Sequence, residues 1–353
     1  MITIGVDAHK GIPMTVAVDE ARREVAHRRG PNSAAGWHEV ATWGATLGVS
    51  RRWGIEGAWN YGRGLAQYLV ATDAEVHEVN PRWTAGGRQR ARRRDKNDRL
   101  DARAVALLVW REGAALPRVT ADDDTVALAL LVAERADLVA ETTRLYNQVH
   151  QLLLQLDPEY ATRVPTLQTQ AGLCALEGYE AADARAVPQH RAAAIRRLAQ
   201  RLRLALAQTK ALTAQIRALA APRFAPLAQI CGISLLTVGT LAAILGPGRR
   251  FATDAQLAAY AGVAPLEASS AERVRHRLTR GGNRHLNAIL YRIALTQSRC
   301  SPAAQAYLAR RIGEGKTRRE AIRALKRHLI RAIWRKWEEC QLQPVAAAAA
   351  IAA

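Results

Sequence analysis

Four acidic residues stand where carboxylates could hold a metal ion. Asp7 follows a β-rich run at Thr3–Val6, Glu56 closes a second such run, and Asp98 and Asp101 open an apolar helical segment. At positions i and i+3, Asp98 and Asp101 share one helix face. Hard cations such as Mg²⁺ take oxygen ligands, and two of them about 3.5–4 Å apart can clamp both oxygens of a phosphoryl transfer. The pattern predicts a divalent-cation site for phosphoryl-transfer chemistry.

A simpler interpretation of the same acids stays open at this point. Asp98 and Asp101 also fit a helix N-terminal box, in which acids only cap free backbone N–H groups. Asp7 alone could be a turn acid, and Glu56 alone a surface residue. Without a metal, four converging carboxylates would repel one another and raise each other's pKa. Their order along the chain and the strands that precede them favour the metal site.

An α/β domain is needed to bring these acids together. Five strand-like runs are separated by turns, at Thr3–Val6, Thr15–Val18, Glu24–His27, Arg52–Glu56 and Ala74–Val79. One helical pattern, Gly64–Ala71, lies among them. Strands mixed with helices at this spacing predict a mostly covered sheet. We expect a twisted sheet of this kind to gather the acids at one edge.

Two long helical stripes follow this domain. Leu131, Leu138, Leu145 and Leu152 recur every seven residues, and a second stripe of three-four spacing runs over 195–219. Such stripes predict two long helices, each with a partner helix. The simplest arrangement is an antiparallel coiled-coil arm within one chain, and the alternative is pairing between chains. A loop with Pro158, Pro165 and Pro188 would join the helices.

The chain is expected to divide into four segments. These are a catalytic α/β domain at 1–120, the helical arm at 121–222, a mainly helical domain at 223–340, and an Ala-rich tail at 341–353. Pro222 and Pro226 mark the boundary between the arm and the third segment. Hydrophobic residues make up 49% and charged residues 23% of the 353 residues, which excludes wholesale disorder.

The charge balance predicts a polyanionic partner. Lys and Arg number 51 against 31 Asp and Glu, a net charge of +20, and such an excess attracts nucleic acid first and anionic membranes second. The first ten residues lack the features of a signal peptide, and the most apolar stretch, Ile233–Leu245, is too short to span a bilayer. The four cysteines form no CxxC pair, so we expect reduced thiols and a cytoplasmic protein without membrane partners.

Two basic runs are candidates for phosphate contact. The residues proposed to bind nucleic acid are Arg88, Arg90, Arg92, Arg93, Arg94 and Lys96 in the first run, and Arg273, Arg275, Arg277, Arg280 and Arg284 in the second. Such contacts set affinity and salt dependence more than sequence choice. A third basic zone, Lys316–Lys336, is better interpreted as the solvated face of an ordinary helix.

Several short strings together resemble one known family. They are GVDAHK at Gly5–Lys10, GIEGAW at Gly54–Trp59, VNP at Val79–Pro81 and KNDRLDARA at Lys96–Ala104, followed by ICGISLLTVGTLAAILG, FATDAQLAAYAGVAP and RGGNRHLNAILY. In this order they resemble the Asp-Glu-Asp-Asp (DEDD) insertion-sequence transposases. The N-terminal domain of that family is similar to the RuvC Holliday-junction resolvase, which has an RNase H-like fold.

The resemblance implies a specific enzyme. Asp7, Glu56, Asp98 and Asp101 would be catalytic and would hold Mg²⁺ or Mn²⁺. A serine of the C-terminal domain would attack a DNA phosphate and form a covalent protein–DNA intermediate before strand exchange. A structured guide RNA would select donor and target DNA, and the arm would mediate contacts in a dimer or tetramer of the bacterial cytoplasm.

The serine is placed by position in the family pattern, which has Pro, a short variable stretch and then Ser-Gly. Here Pro265 leads to Ser269 and Ser270, and Ala271 stands where the family has Gly. Ser270 is the first candidate nucleophile and Ser269 the second. Two other functions remain open: a metal-dependent nuclease or junction resolvase without serine chemistry, and a non-catalytic nucleic-acid-binding protein.

Overall fold

A five-stranded mixed sheet forms the N-terminal part of the chain. The computed structural model describes residues 1–81, 83–84, 97–248, 250–264, 266–267, 276–277 and 282–342. The strands are β1 (Ile2–Asp7), β2 (Met14–Val18), β3 (Glu24–Arg29), β4 (Arg51–Glu56) and β5 (Glu75–Val79). Their order is β3-β2-β1-β4-β5, with β2 antiparallel to both neighbours and with β1, β4 and β5 parallel. This sheet is compatible with an RNase H-like domain, and all five predicted strands are confirmed.

Helices cover both faces of the sheet. They are α1 (Ala34–Thr46), α2 (Arg63–Ala71) and α3 (Asp98–Glu112). Apolar side chains of α1 and α2 pack with Ile4, Val6 and Ile55 on one face. On the opposite face, Ala102 and Ala106 of α3 pack against β2. Helix α2 matches the sequence prediction, whereas α1 was not predicted.

The middle of the chain is helical and forms most of a second compact unit. Its helices are α4 (Asp124–Leu156), α5 (Tyr160–Arg163), α6 (Gln170–Glu177), α7 (Ala186–Phe224) and α8 (Leu235–Leu245), with a 3₁₀ turn at Ala225–Gln229. This unit comprises Ala127–Ala228 and Ile233–Ile244, while Met1–Val126, Gln229–Gly232 and the residues from Leu245 onward form the other unit.

Helices α4 and α7 pack against each other in antiparallel register. Arg135 Nε donates to Thr213 Oγ1 at 2.7 Å, and Arg201 Nη2 donates to Glu141 Oε1 at 2.9 Å. The partner numbers fall along α7 as they rise along α4, so the two predicted long helices pair within one chain. Coiled-coil packing of this pair stays a prediction.

One proline that was predicted to lie in a loop is helical, and a second lies near the predicted end of the arm. Pro188 falls in the first turn of α7, where its missing N–H has no helical acceptor to serve. Pro222 lies inside the last turn of the same helix, which continues to Phe224. Helix α7 therefore runs past the proline that was expected to end the segment.

The C-terminal region is mainly helical, as expected. It contains α9 (Asp254–Tyr260), a two-stranded ladder of β6 (Leu266–Glu267) and β7 (His276–Arg277), α10 (Arg284–Cys300), α11 (Pro302–Gly313) and α12 (Arg318–Leu342). Helix α12 contacts α9, α10 and α11. Over the described parts of the chain, none of the helices combines the length and apolarity needed to cross a membrane.

Candidate active site

Asp7 and Glu56 end two neighbouring parallel strands. Val6 pairs with Ile55 in the β1–β4 register, so the next residues, Asp7 and Glu56, lie at the same end of the sheet. Side chains alternate across a strand. Gly5 and Gly54, two residues earlier, both face α3, and the two acids therefore lie on the sheet face that α3 covers.

Helix α3 carries the other two acids in its first turn. Its N-cap is Asn97, whose side chain accepts the backbone N–H of Arg99 at 2.9 Å. The N-cap is thus Asn97, and Asp98 and Asp101 both lie in the first turn that follows it. The Asp98 carboxylate lies 3.6 Å from Nη2 of Arg29, the last residue of β3. Asp101 is 5% exposed on the face of α3 that packs on the sheet.

His9 lies between two of the acids. Its Nε2 is 3.1 Å from Asp7 Oδ2 and 3.6 Å from Asp98 Oδ1. One donor atom from each of Asp7, His9 and Asp98 falls within 4.8 Å of the other two, a spacing at which three groups can share one cation. His9 belongs to the string GVDAHK but was not among the predicted site residues. Its position two residues after Asp7 was the available signal.

Burial and like charge both act on Asp7. The carboxylate is 7% exposed, and this burial is the main reason that its pKa is raised above the ordinary value. The nearby carboxylates of Asp101 and Asp98 raise the pKa of Asp7 further, while His9 opposes them. Three acids are thus close enough to interact electrostatically, and a cation among them would relieve both the burial and the repulsion.

Glu56 is held at the same end of the sheet by a different contact. Its Oε1 accepts a hydrogen bond from Thr84 Oγ1 at 2.9 Å, and Thr84 is buried. The backbone at this point is fixed because Glu56 pairs with Val79 of β5. Glu56 therefore lies beside the Asp7 position, while the group with mutual distances of 4.8 Å or less consists of Asp7, His9 and Asp98.

The loop that carries His9 is anchored by Asn32, just before α1. Asn32 Nδ2 donates to the carbonyl oxygens of His9 at 3.1 Å and of Tyr61 at 2.9 Å. Trp37 Nε1 of α1 donates in turn to Asn32 Oδ1 at 2.8 Å. A helix that the sequence did not predict therefore fixes the backbone next to the acids.

The donor set fits a divalent cation. Carboxylate oxygens suit Mg²⁺ and Mn²⁺, and an imidazole nitrogen is accepted more readily by transition metals than by Mg²⁺. The mutual approach of Asp7, His9 and Asp98 and the burial of Asp7 provide a negatively charged group of ligands that solvent can still reach through His9 and Asp98. These residues, with Asp101 and Glu56 beside them, are the ones that could hold the ion.

Most other predicted site residues lie outside the described residues. These are Ser269, Ser270, Arg88, Arg90, Arg92, Arg93, Arg94, Lys96, Arg273, Arg275 and Arg280. Arg277 lies in β7, and Arg284 is exposed at the first position of α10. The structure therefore places the predicted acids but does not test the predicted serines.

The described residues on either side of the serine segment are fixed close together. A Cβ on Gly282 would lie 2.4 Å from the backbone nitrogen of Gly262, so these two backbones touch. Asn283 donates its backbone N–H to Tyr260 O at 2.6 Å, and its Nδ2 lies 2.8 Å from Tyr260 Oη. The described residues that flank the serine segment, Gly262 and Gly282, thus lie at one place on the C-terminal helices.

A buried ion pair links the C-terminal region to the sheet. Arg250 Nη2 donates to Glu78 Oε2 at 2.9 Å, and Trp59 Nε1 donates to the same oxygen at 3.1 Å. Glu78 precedes the last residue of β5, the strand beside Glu56. Arg250 therefore attaches the chain that leads to the serine segment to the end of the sheet where the acids lie.

Comparison with known proteins identifies relatives along most of the chain. The DEDD transposase model of IS110 elements matches residues 4–158, and the model of the transposase IS116/IS110/IS902 family matches residues 225–309. An uncharacterized 43.6 kDa protein of insertion element IS110 from Streptomyces coelicolor is 31% identical over 278 residues, which are 67% of this chain and 69% of that protein. A putative transposase from Sinorhizobium fredii is 30% identical over 60% of this chain and 55% of its own length. On these matches, the chain belongs to the IS116/IS110/IS902 family of transposases.

Proposed function

We propose that this chain cuts and rejoins DNA strands of an insertion element, using a divalent cation and a serine nucleophile. The observation that supports the cation most directly is the approach of Asp7, His9 and Asp98 to within 4.8 Å of one another. Glu56 lies at the end of the adjacent strand, and Asp101 is close enough to raise the pKa of Asp7. Family membership supports DNA as the substrate.

The cation, Mg²⁺ or Mn²⁺, would neutralise charge that develops on the phosphate during strand cleavage. Asp7, His9 and Asp98 would be its main ligands, with Glu56 and Asp101 beside them. Arg29 lies 3.6 Å from Asp98 and is 60% exposed, so its guanidinium can meet a phosphate that approaches these acids. The basic run from Arg88 to Lys96 directly precedes α3 in the chain and would hold the DNA backbone there.

The serine step would occur on the C-terminal region. Ser270, or Ser269 beside it, would attack a DNA phosphorus, so that a bond from the serine oxygen to phosphorus forms as the bond to a deoxyribose oxygen breaks. The proton lost by the serine is balanced by one gained on the leaving deoxyribose hydroxyl. Arg273, Arg275, Arg277, Arg280 and Arg284 are near these serines in sequence and would stabilise the phosphate charge.

Trapping of the protein–DNA adduct tests the serine step. Ser270→Ala, Ser269→Ala and the double variant would be incubated with labelled element-end DNA and Mn²⁺, and the denaturation-resistant adduct would be counted on a gel. We expect the adduct to disappear in the double variant and in one of the single variants. Ser298→Ala is the matched control, since the Ser298 hydroxyl donates to Leu295 O within its own helix. An adduct that persists in the double variant would remove these serines from the mechanism.

A nuclease or resolvase that uses only the acids is the second candidate. It is favoured by Ala271, which stands where the family pattern has Gly and which adopts positive φ less readily. This candidate predicts metal-dependent cleavage that survives in the serine double variant and is lost in Asp101→Asn. A non-catalytic binding protein predicts that Asp7→Asn and Asp101→Asn leave function intact and that divalent metal changes nothing.

A structured guide RNA is proposed as a further partner. The net charge of +20 favours binding to a polyanion, and the resemblance to the family implies the guide. Sequencing of RNA that co-purifies with the protein is the direct test. A single structured species encoded next to the element supports a guide, while random cellular fragments would indicate general nucleic-acid binding.

A homodimer or tetramer in the cytoplasm is also proposed. Large apolar side chains are exposed on both long helices, among them Leu130 on α4 and Leu204 on α7, at 70% and 60% exposure. A second copy could cover them. Light scattering of the full chain would give the mass, and we expect Leu204→Glu to lower it. An unchanged monomer mass in wild type and variant would contradict this oligomer.

A further inference from the structure

Two cysteines that are far apart in sequence meet in the structure. Cys231 Sγ lies 3.1 Å from Cys300 Sγ, and both residues are exposed. Cys231 is in the turn between the 3₁₀ turn at Ala225–Gln229 and α8, and Cys300 ends α10. Both belong to the same compact unit. The contact therefore lies within one compact unit, and solvent can reach both thiols.

The turn that carries Cys231 is held against the end of α10 by two further contacts. Gln297 Nε2 donates to the carbonyl oxygen of Cys231 at 2.8 Å, and Gln297 is 8% exposed. A Cβ on Gly232 would lie 3.2 Å from the Cβ of Thr296, so the backbone of the turn lies directly on the helix. Gln297 and Thr296 lie three and four residues before Cys300 on α10. These two contacts hold the turn that carries Cys231 beside the end of α10, where Cys300 lies.

We propose that Cys231 and Cys300 are a reversible intramolecular disulfide site. A disulfide requires the sulfurs to come to about 2.05 Å, roughly 1 Å closer than the 3.1 Å at which they lie. A shared metal ion is less suited, because across the described part of the chain no third Cys, His, Asp or Glu joins these thiols at ligand spacing. This site is separate from the acids and does not depend on the proposed transposition chemistry.

The reaction needs a small-molecule disulfide such as oxidised glutathione. One thiolate attacks that disulfide, forms a mixed disulfide and releases one glutathione thiolate. The second cysteine thiolate then attacks the protein-bound sulfur and releases the second glutathione thiolate. The two cysteines lose two protons and two electrons in total, and the oxidised glutathione takes them up as two thiols.

Oxidation of the full chain tests the site. The reduced protein would be incubated with oxidised glutathione, its free thiols alkylated, and its peptides mapped by mass spectrometry with and without a later reductant. We expect a reductant-sensitive peptide pair joining Cys231 to Cys300 within a monomer, in more than half of the molecules. Cys174→Ser is the matched control, since Cys174 is an exposed cysteine whose Sγ contacts Gln170 and Arg203, and this variant should keep the cross-link.

Thermal unfolding provides a second readout. Oxidised wild type should melt a few degrees above its reduced form, because the disulfide restricts the unfolded chain. In Cys300→Ser the same treatment should produce no shift and no cross-linked pair. Three results would each overturn the proposal. They are separate glutathione adducts on Cys231 and Cys300, cross-links only between molecules, and alkylation of both cysteines, which would show that their thiols stayed reduced.

Discussion

Gly5 of β1 lies against the backbone of Ala102 in α3. A Cβ at Gly5 would come within 2.2 Å of Ala102 O and 2.3 Å of Ala106 N, distances that real atoms do not reach. The helix can approach the strand this closely only because Gly5 has no side chain. The same approach brings Asp101, next to Ala102, to the level of Asp7, two residues after Gly5. The packing of one glycine therefore helps to set the spacing of the acids.

Gly5→Ala is expected to destabilise the fold and to separate α3 from the sheet. Because the neighbouring atoms are backbone, they cannot move aside as a side chain would, and we expect a loss of at least about 2 kcal/mol in the free energy of unfolding. Urea titration of the full chain measures this loss. Gly313→Ala is the control, since a Cβ there meets no atom within 4 Å. Equal stability of the two variants would contradict the close packing of α3.

Asn32→Ala is expected to weaken metal binding without touching the acids. Asn32 Nδ2 holds the carbonyl oxygen of His9 at 3.1 Å, and loss of a group that orients a ligand costs roughly 10-fold in metal affinity. Calorimetric titration with Mn²⁺ measures the change. Asn147→Ala, on the exposed face of α4, should bind Mn²⁺ as wild type does. If Asn32→Ala also binds like wild type, this loop does not position His9.

The pair of Arg250 and Glu78 is expected to couple in a double-mutant cycle. Their side chains are 12% and 17% exposed, and removing one partner of a largely buried pair leaves the other without its opposite charge, at a cost of about 3 kcal/mol. Glu78→Gln should therefore lower the free energy of unfolding strongly. Combining it with Arg250→Met should cost less than the sum of the two single changes. If the two single losses in the free energy of unfolding add up to that of the double variant, the two side chains do not stabilise each other.

Asp254 is expected to stabilise the C-terminal helices in a pH-dependent way. Its carboxylate accepts from Arg327 at 2.9 Å and from Arg331 at 3.1 Å. The hydrogen bond from Arg327 is the main reason that the pKa of Asp254 lies below its ordinary value of 3.8. Because the pKa of Asp254 is lower in the folded state than in the unfolded state, the ionised carboxylate stabilises the fold at any pH above the unfolded-state pKa. This stability is lost as the pH falls through the folded-state pKa.

Asp254→Asn should accordingly lower the free energy of unfolding by about 1 kcal/mol at pH 7. The difference from wild type should shrink towards zero as the pH falls below 3.8, the ordinary value for Asp. Urea titrations of both proteins across this range test the sign. A difference that grows at acid pH would be the opposite of what the lowered pKa requires.

Local sequence patterns were sufficient for the strands and for part of the site. Each strand combines β-rich residues with flanking turns, so the ends of β1 and β4, and with them Asp7 and Glu56, could be located. Since each acid follows a predicted strand, both acids could be placed at one end of a sheet. The Asp98–Asp101 spacing identified the first turn of α3, and the structure shows Asn97 as the N-cap of that helix.

Other features depend on contacts that no local pattern contains. Helix α1 has Trp and Gly residues instead of a clear apolar stripe, and its role became visible only through Trp37 and Asn32. Cys231 and Cys300 are 69 residues apart in the sequence, and they meet because the turn that carries Cys231 packs against α10. His9 gains its role from the position of Asp98, almost ninety residues later.

Mn²⁺ titration of the metal-free chain, followed by calorimetry, tests the central claim most directly. Wild type should show saturable binding at neutral pH, and Asp7→Asn should lose affinity at least 10-fold, because Asp7 is the buried carboxylate that His9 and Asp98 surround. Asp137→Asn, an exposed acid on α4, should bind as wild type does. Equal Mn²⁺ affinity in all three proteins would contradict a cation site formed by these acids.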